Sequence, residues 1–558
     1  MKAKNILFII IGLLIVGLCQ GYAQQKSIER IYLATDRRAY ISGETVWLSL
    51  YCFDASGAKP CFSELSSVAY IELRDGETLV SAAKLKLEKG RGGGKLAVPI
   101  SLPTGNYRLI AYTRYMLNED IPRFFDMVIP IFNTLTTERI SGNVLIKKEL
   151  DQEEEPILPL SVTSKEVAVQ WNGDKVRVQN LRGEAMTLNI SIARVDIPEE
   201  RFFTITDFWN EQKAALGSVG FKNQYILEYE GEIIRGRVEN GSAILQGKHL
   251  IYLSTVGTDP DVYAAPVDAA TGDFSFFTKS IVGSREIALE LPEAAEASFA
   301  LTDPFVKPVV APAPPLLIDP QYEPHLLQRS IEMQVNHHFG IDTLFDRIAI
   351  QEGPPLSEKQ PTVYLLDDYT RFSTMQDIVL EFVSGVRFRK INNRSLLQVV
   401  IDSDFERGYT DQNALVLIDG VAVFDHERLI GYDLQKVKSV SVYHSSYRIG
   451  GQIYDGLVCL NTYKGNFPGL FLGKNAVILD YEGVQYPCRF TGGTSADFTK
   501  RPDLRSLLYW DPLVELAQGE NREFEIRTSS IPGKYAVIIE GVTAGGQLVY
   551  SRTERLIL

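Results

Sequence analysis

The histidines are the first side chains to consider as metal ligands or general bases. The chain contains 6, and these are His249, His325, His337, His338, His426 and His444. His337 and His338 are adjacent, so on a helix their side chains would point about 100° apart and could not share a metal ion. His426 precedes Glu427, but no second histidine follows at the spacing of a zinc-protease motif. We therefore predict ordinary surface histidines and no metal site.

Two glycine-containing stretches and the carboxylates complete the search for reacting groups. The stretch GRGGGK, residues 90–95, lacks the first glycine and the Ser/Thr of a phosphate-binding loop, so a hairpin turn is predicted. The stretch GGTSAD around Ser495 lacks the final glycine of a serine-nucleophile turn. Acidic residues are abundant, and no spacing singles out an acid–base pair. The sequence thus predicts no catalytic residue, no cofactor and a protein that is not an enzyme.

The cysteines allow a structural role. Cys52 and Cys61 flank FDASGAKP, which is expected to be a loop between two strands. In an oxidising compartment they could form a disulfide, and two half-buried free thiols are the alternative. Cys459 and Cys488 lie in strand-like runs. Neither pair has the CxxC spacing of a zinc knuckle or a thioredoxin-like site.

The first 23 residues predict a secretory signal peptide. Lys2 and Lys4 precede an apolar run that ends at Cys19, and the small-residue stretch GYA follows. The run is shorter than the ~20 residues of a membrane-spanning helix. A retained anchor and lipidation at Cys19 are the less favoured readings. We expect an exported protein of the periplasm or outer membrane, without a transmembrane segment in the mature chain.

The net charge bears on the choice of partner. The formal charge is −13 at pH 7. An acidic surface repels phosphate backbones, so no nucleic-acid partner is expected.

Residues 24–134 read as a β-sandwich. Short β-branched and aromatic runs such as TVWLSLYCF and NYRLIAYTRYM alternate with Gly, Pro, Asn and Asp at regular spacing. The stretch IYLATDRRAYISGETVWL resembles the macroglobulin-like domains of the α2-macroglobulin family. The residues that carry the resemblance are Asp36, Arg37, Tyr40, Gly43 and Glu44. The thioester motif of the reactive family members is absent, so the resemblance implies a fold and not covalent trapping of proteases.

Three further β segments are predicted. Residues 156–222 follow a charged linker (residues 147–156) and read as a second β-sandwich with a helical excursion in DFWNEQKAALGSV. Residues 223–301 are similar to the carboxypeptidase-regulatory β-sandwich, a resemblance carried by Gly272, Asp273 and Phe274. Residues 466–558 read as a last β-sandwich.

Residues 302–361 are predicted to be a proline-rich linker followed by a short helix. Prolines cannot donate ladder hydrogen bonds and favour extended geometry. In HLLQRSIEMQVNHHF, the spacing of Leu326, Ile331 and Val335 predicts a helix with these residues on its apolar face.

Residues 362–465 carry the most specific pattern of the chain. ALVLIDGVAVFD places Asp419-Gly420 between two apolar runs, which predicts a two-residue hairpin with positive φ at both turn positions. A helix capped by Ser373 or Thr374 precedes it and ends at Gly385. Further strands follow.

The order of these pieces resembles the plug domain of TonB-dependent outer-membrane receptors. The residues that carry the resemblance are Asp419, Gly420, Tyr447, Gly450, Asp455, Gly456 and Thr462. A receptor barrel needs about 22 strands of ~10 residues. The segment after Gly465 is too short for it and is interrupted by prolines, so we expect a plug-like domain without a barrel.

The sequence therefore predicts a mainly β protein. It would consist of tandem macroglobulin-like or immunoglobulin-like β-sandwiches with one inserted α+β plug-like domain. Its expected function is that of a non-enzymatic interaction or scaffold protein at the outer membrane. Its expected partner is an outer-membrane barrel protein or envelope complex. The alternative is a macroglobulin-like protein that binds proteases without a thioester.

Overall fold

The structure is a computed structural model. It describes residues 27–135, 144–147, 161–196, 203–215, 220–222, 224–239, 249–257, 260–279, 281–306, 308, 311–349, 360–391, 393–402, 407–467, 472–493 and 497–557. The predicted signal peptide with Cys19, most of the predicted charged linker and Ser495 lie outside the described residues.

The described residues are mainly β, as predicted. The first strands are β1 (Glu29–Thr35), β2 (Tyr40–Ile41), β3 (Thr45–Asp54), β4 (Val68–Asp75), β5 (Thr78–Glu88), β6 (Arg91–Ala97), β7 (Gly105–Tyr112), β8 (Phe125–Phe132) and β9 (Val144–Ile146). The next are β10 (Val167–Asn172), β11 (Lys175–Asn180), β12 (Met186–Arg194), β13 (Ile233–Val238), β14 (His249–Thr255), β15 (Val262–Val267), β16 (Asp273–Phe277), β17 (Ser284–Glu290), β18 (Phe299–Leu301) and β19 (Leu316–Ile318).

The second half of the chain continues in the same way. Its strands are β20 (Asp346–Arg347), β21 (Thr362–Leu365), β22 (Val386–Ile391), β23 (Arg394–Val399), β24 (Ile401–Asp402), β25 (Arg407–Gly408), β26 (Leu415–Ile418), β27 (Val421–Ala422), β28 (Val437–Ile449), β29 (Gln452–Thr462), β30 (Ala476–Glu482), β31 (Cys488–Arg489), β32 (Leu507–Leu516), β33 (Asn521–Glu525), β34 (Gly533–Thr543) and β35 (Leu548–Ile557).

Helices are few. The α-helices are α1 (Ile205–Ala214), α2 (Glu323–His338), α3 (Met375–Glu381) and α4 (Glu427–Ile430). Short 3-10 helices are Arg114–Asn118, Pro320–Tyr322, Ile341–Thr343, Leu366–Asp368 and Leu434–Lys436. The predicted helices near residues 205, 325 and 375 are confirmed, although the last ends at Glu381 and not at Gly385 as predicted.

The chain divides into two compact units. Unit 1 comprises Met1–Tyr229, Pro308–Ala349 and Tyr486–Leu558. Unit 2 comprises Glu230–Lys307 and Ile350–Gln485. Each unit therefore combines segments that are distant in the sequence.

The first part of unit 1 is the N-terminal sandwich. Its strands run in the order β1-β3-β6-β5-β4-β7-β8-β2, and all neighbours pair antiparallel except β2 and β8. The long strand β5 links the two halves, since it pairs with β4 over most of its length and with β6 at its end. Tyr32, Tyr51 and Tyr70 are fully buried in the N-terminal sandwich.

The second part of unit 1 is a composite sandwich. One sheet has the order β32-β12-β34-β35 and the other β10-β11-β33. The structure thus differs from the prediction of separate sandwiches at residues 156–222 and 466–558, because their strands share both sheets. Every residue of β12 is buried. A strand of that kind needs neighbours on both edges, and β32 and β34 provide them.

The first part of unit 2 is a β-sandwich, called the regulatory-like sandwich below because of the sequence resemblance of residues 223–301. Its sheets have the orders β16-β13-β18 and β15-β14-β17-β30. Strand β30 was predicted to belong to the C-terminal sandwich, but it pairs with β17 from Ser284↔Glu482 to Glu290↔Ala476. Val477, Leu479 and Tyr481 pack on this sandwich's core.

The rest of unit 2 is an α+β part, called the plug-like domain below because of the sequence resemblance of residues 362–465. Its 5-stranded sheet has the order β21-β28-β29-β26-β27, and β22 pairs with β23 beside it. Thr374 caps α3 by accepting a hydrogen bond from the Asp377 N–H. The turn between β26 and β27 has φ of 44° at Asp419 and 88° at Gly420, which confirms the predicted hairpin.

Candidate functional site

Asp419, the first residue of the plug-like motif, closes a buried turn. Its carboxylate is 1 % exposed. Oδ1 accepts from the Thr462 N–H at 2.7 Å, and Oδ2 accepts from the Thr462 hydroxyl at 2.5 Å. Oδ2 also accepts from the Phe467 N–H at 2.9 Å. Asp419 and Thr462 therefore tie the hairpin to the end of β29, and neither offers a free reacting group.

Two motif glycines bring backbone against the regulatory-like sandwich. A Cβ on Gly420 would lie 2.3 Å from the Thr255 carbonyl oxygen, and one on Gly450 would lie 2.5 Å from the Ala264 Cβ. The φ of Gly450 is 60°, so both glycines also have a left-handed backbone. Only glycine permits this close approach.

Asp455 and Gly456, in the middle of β29, contact neighbouring segments of the plug-like domain. The Asp455 carboxylate accepts from the Thr410 hydroxyl at 2.5 Å and from the Ser446 hydroxyl at 2.6 Å. Gly456 has φ of 95°, and a Cβ there would lie 2.3 Å from the Val399 Cβ. These two residues seat the β22–β23 hairpin and a β-bulge of β28 on the main sheet.

Tyr447 belongs to an apolar layer between the plug-like sheet and the regulatory-like sandwich. It packs in one buried cluster with Tyr252 and Leu457. Beside it, the Tyr454 hydroxyl donates to the Tyr252 hydroxyl at 2.9 Å. Gly420, Tyr447 and Gly450 thus form a joint between the plug-like sheet and this sandwich, whereas the other motif residues hold the plug-like domain together.

The macroglobulin-like motif forms a second joint, in unit 1. Asp36 Oδ1 accepts from the Tyr40 hydroxyl at 2.8 Å and from the Trp47 N–H at 2.9 Å. Arg37 Nε donates to Asp36 Oδ2 at 2.9 Å. Gly43 has φ of 99°, which the turn before β3 requires. The residues that carry the resemblance are therefore brought together.

Glu44 links this motif to helix α2. Arg329 donates to both Glu44 carboxylate oxygens, from Nε at 2.9 Å and from Nη2 at 2.7 Å. Burial raises the pKa of Glu44, but the guanidinium groups of Arg329 and Arg37 outweigh it and hold the pKa below its ordinary value.

A second ion pair extends the joint to the composite sandwich. Arg194 on β12 donates to Glu332 on α2 at 2.6 and 3.1 Å. Arg37 Nη1 donates to the Ser506 hydroxyl at 2.8 Å. Helix α2 thus connects the two sandwiches of unit 1 through buried charges.

Sequence reasoning missed this role of α2. Ile331 was placed on the buried face but is 53 % exposed, whereas Arg329 and Glu332 are buried beside Leu326. The signal in the sequence was the presence of two charged residues, Arg329 and Glu332, three residues apart and on the same helical face as Leu326. An apolar-periodicity search ignores such residues.

The histidines differ in environment. His325, His337 and His338 are exposed, as predicted. The prediction is wrong for His426, which is 4 % exposed and accepts from the Leu397 N–H through Nδ1 at 2.9 Å. Burial lowers the pKa of His426 to about 4. Within the described part of the chain, no cluster of three or more His, Cys, Asp or Glu side chains is placed to hold a metal ion.

Both predicted disulfide partners are free thiols in the structure. Cys52 is buried and Cys61 is exposed. Backbone hydrogen bonds place Cys52 opposite Ser63 and Cys61 opposite Asp54, so the two cysteines are diagonal neighbours. Burial and the Glu29 carboxylate raise the pKa of Cys52 well above its ordinary value.

The glycine-rich stretch near residue 90 is structural. Lys89 and Gly90 form the hairpin turn, with φ of 51° and 74°. Gly92 and Gly93 continue into β6, where a Cβ on Gly93 would lie 2.6 Å from Pro512. The glycines thus allow the composite sandwich to approach β6.

Unit 1 contains a cleft of about 890 Å³. One wall comes from the N-terminal sandwich and includes Phe53, Lys59 and Phe62. The other comes from the strand ends and turns of the composite sandwich, including Met186 and Leu516. Ligand sites often lie at such domain boundaries.

No helix in the described ranges has the length and apolar character needed to span a membrane.

Comparisons with known proteins identify no family. No protein-family model matches the chain, and no curated protein matches it. Solved structures similar to it include native Escherichia coli α2-macroglobulin, at 10 % identity and a TM-score of 0.24, covering 96 % of this chain and 40 % of that one. Methylamine-reacted Salmonella α2-macroglobulin gives 10 % identity, a TM-score of 0.23 and the same coverage. This chain therefore spans about two fifths of those proteins, and at such TM-scores the likeness carries no conclusion about function.

Proposed function

We propose that this protein is a non-enzymatic interaction or scaffold protein that is exported and works at the outer membrane. In this proposal its partner is an outer-membrane barrel protein or an envelope complex. The plug-like domain would act as a rigid module of the scaffold.

One observation carries this proposal. The polar residues of both motifs are engaged in buried hydrogen bonds and ion pairs within the protein. Asp419 and Asp455 bond to neighbouring hydroxyl and N–H groups, and Glu44 bonds to Arg329. Such fully bonded networks rigidify a core. A rigid core holds the surface of the protein in one conformation, and such a surface suits recognition of a partner.

The experiment is affinity purification of the full chain, with a C-terminal tag, from gently solubilised envelopes of the cells that make it. Mass spectrometry identifies the co-purifying proteins. We expect one outer-membrane protein in a fixed ratio to the bait. Recovery of the chain alone, from fresh and from cross-linked envelopes, would contradict the proposal.

The macroglobulin-like motif favours a second candidate, a protein that binds proteases without a covalent bond. Its structural basis is the intact network around Asp36, Tyr40 and Glu44. Incubation with inactivated trypsin or elastase, followed by size-exclusion chromatography, separates the two candidates. A shared peak would favour protease binding.

A further inference from the structure

We infer that the cleft between the two sandwiches of unit 1 binds an extended peptide segment of a partner protein, one that carries carboxylate and bulky apolar side chains. This inference rests on the proposed function, because it names the chemistry of the partner.

The size of the cleft fits a peptide segment. Its volume of about 890 Å³ lies at the upper end of the ~300–1,000 Å³ range of ligand sites. Its rim includes the exposed residues Lys59, Cys61, Glu64 and Ala544, so it is open to solvent. A chain can therefore enter and leave it without threading through a closed cavity.

The walls offer apolar contact on both sides. The rings of Phe53 and Phe62 stack with centroids 5.7 Å apart and an interplanar angle of 14°. Phe62 is partly exposed toward the cleft, and Ala185 and Ala517 are exposed on the facing wall. Such surfaces accept the aliphatic or aromatic side chains of a bound peptide.

The charges of the cleft favour acidic side chains. Arg91 and Arg522 are already engaged, Arg91 with Glu515 and Arg522 with Glu520. Across the described ranges, Lys59 and Lys89 have no ion-pair partner.

Among the acidic residues that line the cleft, Glu64 is the one without an ion-pair partner within the described residues. Two unneutralised ammonium groups beside an apolar wall stand out on a chain of net charge −13. They attract carboxylates, which neutral glycans lack.

The cleft is already formed before binding. The Ser49 hydroxyl donates to the Pro512 carbonyl at 2.9 Å, and the Tyr51 hydroxyl donates to Asn189 Oδ1 at 3.0 Å. Arg91 donates to the Thr187 hydroxyl at 3.1 Å. These bonds fix one wall to the other, so binding orders the peptide and leaves the protein unchanged.

Cys61 provides a probe inside the cleft. It is exposed, whereas Cys52 and Cys488 are buried. We would label the full chain with an environment-sensitive thiol dye and use Cys61→Ser as the matched control. A displayed library of random peptides, panned against the protein, supplies the peptides to be synthesised.

We expect the enriched peptides to combine Asp or Glu with large apolar residues and to shift the emission of the dye on Cys61. The double variant Lys59→Glu/Lys89→Glu should bind them more than tenfold more weakly. Both lysines are exposed, so the variant should keep its fold. The control Lys390→Glu/Lys464→Glu, with exposed lysines in unit 2, should bind like the wild type.

Several outcomes would overturn the inference. They are the absence of enriched peptides, enriched peptides without acidic residues, equal affinity of both double variants, and displacement of the peptides by neutral glycans. The envelope purification separates this inference from the proposed function. If the cleft variant still captures the same partner in the same ratio, the inference fails and the proposed function stands. If the wild type captures nothing, the proposed function fails.

Discussion

Arg329 of helix α2 and Glu44 of the N-terminal sandwich form a buried two-pronged ion pair, although 285 residues separate them in the sequence. The shorter of the two contacts is 2.7 Å, and both side chains are less than one tenth exposed. A pair of this kind is costly to break on one side only, because the remaining charge stays buried.

Replacement of Arg329 by Met should therefore destabilise unit 1 by about 3 kcal/mol. All 4 tryptophans, Trp47, Trp171, Trp209 and Trp510, lie in unit 1. Tryptophan fluorescence in a urea titration therefore reports on that unit. The exposed Arg123→Met, also in unit 1, serves as the control, and a loss below about 0.5 kcal/mol for R329M would contradict this prediction.

Loss of the Asp419 carboxylate should destabilise unit 2. Asp419→Ala leaves the Thr462 and Phe467 N–H groups without their acceptor, at a cost of at least about 2 kcal/mol. Asp419→Asn should cost less, because asparagine tolerates a left-handed backbone and keeps one acceptor oxygen. Calorimetric melting of the two variants measures the order, and equal losses would speak against a bonding role of the carboxylate.

The glycines of the plug-like motif allow a graded test of packing. Gly456→Ala combines a positive φ with a clash against Val399, and we expect a loss of about 3 kcal/mol. Gly451→Ala has a positive φ of 87° but open space, so only about 1 kcal/mol should be lost. If G456A and G451A have the same melting temperature, close packing at Gly456 is refuted.

Protonation of His426 should weaken unit 2 in acid. Burial places its folded-state pKa at about 4, below the ~6.5 of an exposed histidine. Between these values the unfolded state binds the proton and the folded state does not, so stability falls as the pH drops from about 6.5 to 4. NMR titration of the histidine ring signals, assigned with His426→Asn, should show one ring that stays neutral down to about pH 5. If the ring assigned to His426 titrates near 6.5, it is not buried.

Local rules predicted the parts of the fold that depend on a few neighbouring residues. The Asp419-Gly420 turn needs only positive φ at two positions, and the Thr374 cap needs one hydroxyl at the start of α3. Both were predicted from sequence and are present. The helix near residue 325 was predicted from the spacing of its apolar residues, and a helical excursion was predicted near residue 205.

Long-range pairing could not be predicted from the sequence. Strand β12 pairs with β32 and β34, more than 300 residues further along, and nothing in its apolar run specifies those partners. Strand β30 likewise joins the regulatory-like sandwich. The burial of Arg329 and His426 also depends on what packs over them. Such properties depend on the assembled fold, so a single sequence read by periodicity does not contain them.

Site-specific photocross-linking in the cells that make the protein shows whether a partner occupies the cleft. The cross-linking residue p-benzoylphenylalanine would replace Lys89 in the cleft and, in a matched control, Lys390 in unit 2. We expect a discrete cross-linked product from the Lys89 position that contains a second envelope protein, and none from the Lys390 position. If the cleft gives no discrete product, or both positions give the same products, the cleft does not bind a partner.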